Sequence, residues 1–120
     1  MKALTIEKSE ENKMKKITLY IGLNDKDSKQ QEVTTVDAYK MVSNVIGVGC
    51  TITEGRGIYK HDDGTVVTEV SLVVELLDFD NTLDEGWVNH KVIEISKILN
   101  RESIAVQYQE VKSELIYANK

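Results

Sequence analysis

Proline is absent from the sequence and cysteine occurs once, at Cys50. Without proline there is no polyproline linker or Pro-rich recognition segment. One thiol cannot build an internal disulfide framework. Cys50, just before Thr51-Ile52-Thr53, reads as a small hydrophobe at a strand start. Arginine occurs only as Arg56 and Arg101, the lysines are spread rather than massed, and the net charge is −5. Long nucleic acid needs a concentrated basic surface, so it is not an expected partner. A small anionic ligand needs only a few converging cations and stays compatible with this balance. No apolar run approaches the roughly 20 residues of a membrane-spanning helix. The start, Met1-Lys2-Ala3-Leu4-Thr5-Ile6-Glu7, lacks a secretory pattern. The expected compartment is a reducing cytoplasm, with no membrane partner.

At 120 residues the chain has the size of one domain. Residues 1–16 hold a short apolar patch, Ala3, Leu4 and Ile6, followed by a polar stretch, and read as an N-terminal arm or an edge strand. Residues 17–120 read as a single α+β ligand-binding domain.

Ile17-Thr18-Leu19-Tyr20-Ile21 alternates as a strand does, and Gly22 to Gln31 breaks the pattern as a loop. Thr34 to Asp37 resembles a capping box, and Val36, Tyr39, Val42, Val45 and Ile46 recur at helical spacing up to Gly47, which is placed to stop the helix. Cys50–Lys60 and Thr65–Leu77 are rich in Thr, Val and Ile and flank His61-Asp62-Asp63-Gly64, a hairpin signature. Gly55 and Gly57 bracket Arg56, which points to a bulge or a close approach. Thr82 to Glu85 reads as a second capping box, followed by the apolar stripe Val88, Val92, Ile95 and Leu99 and a stop at Asn100. Ile104, Val106 and Tyr108 then alternate in a last strand. The order β-α-β-β-α-β predicts a ferredoxin-like α+β fold, an antiparallel sheet with two helices on one face. The bare face calls for a cover, for which a second copy of the chain is the usual solution.

Little in the sequence demands catalysis. Asp78, Asp80, Asp84 and Glu85 fit an acidic turn better than a calcium loop. His90 and Glu94 lack a third metal ligand. No Gly-x-Ser-x-Gly elbow is present, and Glu54, Glu69 and Glu75 are strand carboxylates whose spacing does not impose an acid–base pair. Gly47-Val48-Gly49 follows a helix rather than opening one, so it cannot cradle a phosphate as the nucleotide-binding loops do. The expectation is therefore a binding protein, not an enzyme, with no metal and no cofactor. Arg56 and Arg101 offer forks for phosphate oxygens. Phe79, the sole phenylalanine, lies between Asp78 and Asp80 and can stack on a base. Asn89 can supply amide contacts.

Thr18-Leu19-Tyr20-Ile21-Gly22-Leu23, the element order, the loop Phe79 and Asn89 ten residues later together resemble the phage Thoeris anti-defence sponge family, type one, over residues 17–111. The resemblance implies sequestration of a cyclic ADP-ribose isomer, glyco-cyclic ADP-ribose, without cleavage, in the host bacterial cytoplasm. It implies base stacking on Phe79 and ligand contacts from Asn89. The family's arginines find no position-by-position match, and the pyrophosphate is assigned to Arg56, Arg101 and Lys26. It also implies pockets between subunits of a homodimer, assembly up to a hexamer, and cyclic oligonucleotides at separate sites. The alternatives are a PII-like regulatory module, against which the short Lys60–Thr65 loop counts, and a structural dimer without a small ligand.

Overall fold

Ile17, Leu19 and Ile21 point to one face of strand β1 (Lys13–Gly22), which starts four residues before the expected Ile17. The remaining elements are α1 (Thr35–Ile46), β2 (Thr51–Lys60), β3 (Val66–Asp78), α2 (Glu85–Ile98) and β4 (Ala105–Lys112). The computed structural model describes residues 13–60 and 62–118; the expected arm or edge strand at 1–16 therefore lies outside the described residues up to position 12.

The sheet order is β2-β3-β1-β4 with every pairing antiparallel, which is the expected ferredoxin-like arrangement. Strand periodicity divides the side chains between two faces. On the helix-bearing face, Ile17, Leu19, Ile21, Leu72, Val74 and Leu76 pack against Ala38, Val42 and Ile46 of α1 and Val88 and Ile95 of α2. Val36 and Tyr39, expected on the buried stripe of α1, are exposed, and Ala38 takes the core position instead.

The helix ends are fixed by local chemistry. Thr34 Oγ1 accepts the Asp37 amide at 3.1 Å, and Gly47 closes α1 with a left-handed φ of 67°. The second helix is capped two residues later than expected. Asp84 Oδ1 accepts the Trp87 amide at 2.8 Å, because the Asp78 carboxylate already holds the Thr82 and Leu83 amides at 2.9 and 3.1 Å and keeps both in the loop. The β2–β3 register runs without a break from Thr51↔Glu75 to Lys60↔Val66, so Gly55 and Gly57 mark no bulge. No helix among the described residues is long and apolar enough to cross a membrane.

Candidate functional site

The face without helices is uneven. Tyr20, Val73 and Leu77 lie there among Thr53, Ser71, Glu75 and Gln107, and Tyr20 Oη donates to Gln107 Oε1 at 3.2 Å. At one end of this face glycines thin the sheet. Gly22 lies beneath Glu69, whose Oε1 would be 2.4 Å from a Cβ at that position, and Gly57 lies beneath Tyr59, whose hydroxyl would be 3.0 Å away. The close approach signalled by Gly57 is thus that of the chain's own tyrosine.

Glu69 is the chemical centre of this end. Its side chain is only 5% exposed, yet it carries an ionisable carboxylate. Glu69 Oε2 accepts the Asn24 amide at 2.8 Å and Arg101 Nη1 at 3.0 Å, and the same Nη1 donates to the Asn24 carbonyl at 2.6 Å. A carboxylate this buried persists because the guanidinium and amide replace lost water. Arg101 Nε is buried and has no hydrogen-bond partner among the described residues, a donor that a ligand oxygen or a water would satisfy. Partial burial of the phenol, and after it the neighbouring Glu69 charge, push the Tyr59 pKa up, so Tyr59 is a neutral donor at ordinary pH.

These residues line a cleft of about 190 Å³ together with Asp25, Lys26, Lys29, Val67, Glu102 and Ser103. Three separate parts of the chain build it: the loop after β1, the outer half of the β2–β3 hairpin and the segment after α2. The structure brings two expected ligand residues, Lys26 and Arg101, into this one cleft. Arg56 does not join them. It pairs with Val70 and points to the opposite sheet face from Tyr59 and Glu69. Asn89 is exposed on α2, and His90 beside it pairs with Glu94 at 3.4 Å.

Phe79 lies at the other end of β3. From Glu69 to Leu77 the strand advances roughly 26 Å, so Phe79 and Arg101 cannot converge on one small ligand within a chain. Phe79 is 44% exposed and lines a second cavity, of about 440 Å³, with Val48, Cys50, Glu75, Leu77 and Asp80 among its walls. Burial pushes the Cys50 thiol pKa up, which keeps it protonated and weakly nucleophilic. Among the described residues no three His, Cys, Asp or Glu side chains are grouped to hold a metal.

Neither a family model nor a curated protein sequence matches the chain. Solved structures do share its fold. A phage SAM lyase in complex with S-methyl-5'-thioadenosine is 20% identical, with 87% of this chain and 93% of that one covered at a TM-score of 0.59. A phage SAM lyase in the apo state is likewise 20% identical, with 88% of this chain and 94% of that one covered at a TM-score of 0.58. The expectation that the chain is not an enzyme is corrected by this finding. Over most of its length the chain shares its fold with a protein described as a lyase, and the exclusion of catalysis, drawn from the lack of familiar motifs, does not stand. A carboxylate set between an arginine and a tyrosine by tertiary pairing leaves no linear motif to read.

Proposed function

We propose that the chain binds S-adenosylmethionine in the Glu69 cleft and breaks its sulfonium carbon–sulfur bond without water, releasing S-methyl-5'-thioadenosine. The observation that carries this reading is the buried Glu69 carboxylate, fixed by Arg101 and the Asn24 amide in the wall of an open cleft. It is supported by the fold shared with a lyase described with that nucleoside bound.

The chemistry fits the groups present. A sulfonium carries a full positive charge, which a buried carboxylate attracts strongly where water is scarce. When the bond breaks, its electron pair goes to sulfur and the leaving group is a neutral thioether. Departure therefore needs no proton donor. Two water-free products balance for the four-carbon remainder. Its own carboxylate closes on the carbon that sulfur leaves, giving a lactone, or the Glu69 carboxylate takes a proton from the adjacent carbon and a double bond forms. Glu69 would hold the cation over the cleft, and Tyr59, hydrogen-bonded to Glu69, would keep that carboxylate in place.

A cleft of 190 Å³ is smaller than the roughly 300 Å³ at which ligand pockets usually begin. In this proposal the expected homodimer supplies the missing wall, a second copy seating on the helix-free face beside Tyr20 and Val73. The site of action is the reducing cytoplasm expected from the lone Cys50.

The test is incubation of the purified chain with S-adenosylmethionine and chromatography of the products. Accumulation of S-methyl-5'-thioadenosine supports the reading; unchanged S-adenosylmethionine contradicts it.

A second reading places the cyclic ADP-ribose isomer of the resemblance at Phe79, whose half-exposed ring and 440 Å³ cavity have the dimensions for a base. Both ligands carry an adenosine. The walls weaken this reading, since a pyrophosphate there would face Glu75, Asp78 and Asp80 with no Lys or Arg among the lining residues. Calorimetry with glyco-cyclic ADP-ribose tests it.

A further inference from the structure

The loop after β1 is tied into a tight turn that sorts its charges. Asp25 donates its amide to the Gln30 carbonyl at 2.8 Å and accepts the Lys29 amide at 2.9 Å. Asp25 Oδ1 accepts the Asp27 and Ser28 amides at 2.8 and 3.1 Å. Asn100, just past α2, donates Nδ2 to Asp25 Oδ2 at 3.0 Å and to Asp27 Oδ2 at 2.9 Å, and its carbonyl accepts the Lys26 amide at 3.0 Å. The two acids of the turn are thereby folded onto Asn100 and the backbone.

The two lysines are treated differently. Lys26 and Lys29 line the Glu69 cleft, and Lys29 Nζ donates to the Lys26 carbonyl at 2.6 Å. Among the described residues neither ammonium has a carboxylate within 4.0 Å, and the Asp25 charge acts on Lys26 only at longer range. Glu102, the remaining acid of the lining, is exposed and forms no ion pair with either. Arg101 holds Glu69 through one carboxylate oxygen, Oε2. One end of the cleft therefore presents two ammonium groups held on a fixed turn, with the Glu69 carboxylate elsewhere in the same lining.

That pattern asks for an anion. The substrate of the proposed reaction has one, its α-carboxylate; the adenosine is neutral and the sulfonium is a cation. We infer that Lys26 and Lys29 bind the α-carboxylate of the substrate, making the site selective for S-adenosyl amino acids over adenosyl thioethers that lack the carboxyl group. This rests on the lyase reading of the same cleft. It also replaces the pyrophosphate assignment of Lys26 with a carboxylate.

The experiment is calorimetry on the full chain with two unreactive probes. S-adenosylhomocysteine carries the carboxylate and S-methyl-5'-thioadenosine does not. The Lys26→Met, Lys29→Met double variant is expected to lose about tenfold in affinity for the first and to bind the second within about twofold of wild type. Lys26→Arg in the wild-type background is expected to keep the preference. Should the double variant fail to fold, Lys26→Met alone carries the test with a loss of about threefold. If wild type binds both probes and the variants weaken both equally, or weaken neither, the carboxylate assignment is overturned while the lyase reading stands. If wild type binds neither probe and leaves S-adenosylmethionine intact, the lyase reading falls and this inference with it.

Discussion

Gly22 and Glu69 meet on the helix-free face so closely that a Cβ at position 22 would lie 2.4 Å from Glu69 Oε1 and 2.5 Å from its carboxyl carbon. The glycine is needed for space, not for an unusual backbone conformation. Gly22→Ala is expected to force the carboxylate off the Asn24 amide and to cost about 1–3 kcal/mol, as overpacking of a filled site does. Urea denaturation measures the stability loss, and turnover of S-adenosylmethionine should fall in the same variant.

The Glu69–Arg101 pair should be strongly non-additive. Arg101→Met leaves a carboxylate of 5% exposure without its cation and is expected to destabilise by about 3 kcal/mol. Adding Glu69→Gln removes the stranded charge and should recover part of that loss. A double-mutant cycle in urea reads the coupling directly.

Acid should loosen the lysine turn. The hydrogen bond from Asn100, followed by those from the Ser28 and Asp27 amides, holds the Asp25 pKa below its ordinary 3.8. A depressed folded value means that the ionised carboxylate's contribution is present above 3.8 and is lost as pH falls through the lower folded value. An NMR pH titration should show the Asp27 and Ser28 amides shifting only below 3.8 in wild type, and at higher pH in Asn100→Ala.

Phe79→Ala separates the two ends of the sheet. The ring lines the acidic cavity and lies roughly 26 Å or more along β3 from Glu69, so turnover in the Glu69 cleft should stay within about twofold of wild type. Any affinity for glyco-cyclic ADP-ribose should fall in this variant, by the roughly 1–3 kcal/mol of a lost stacking contact.

What the sequence could disclose was whatever neighbouring residues decide among themselves. The Thr34 cap, the Gly47 stop and the alternation of Ile17, Leu19 and Ile21 are local, and all three appear as read. The second cap shifted from Thr82 to Asp84 because Asp78, four residues upstream of Thr82, takes that residue's amide. The Glu69 cleft was legible only in fragments. Strand alternation puts Tyr59 and Glu69 on one face, and Gly57, which with Gly55 brackets Arg56, hinted at a close approach. Nothing in the order of residues says that Asn24, Glu69 and Arg101 meet, since 45 and 32 positions separate Glu69 from the other two and only the strand pairings close those gaps. Phe79 is conspicuous because it is an aromatic in an acidic loop, whereas a buried glutamate in a strand looks in sequence like any other strand carboxylate.

The most direct measurement is the rate of S-methyl-5'-thioadenosine release from S-adenosylmethionine by wild type and by Glu69→Gln, a near-isosteric change that keeps an acceptor for the Asn24 amide and removes the charge. The account predicts steady release by wild type and a loss of about 100-fold or more in the variant, on the scale of removing one electrostatic stabiliser. Equal rates for the two proteins, or no release by wild type, would contradict it.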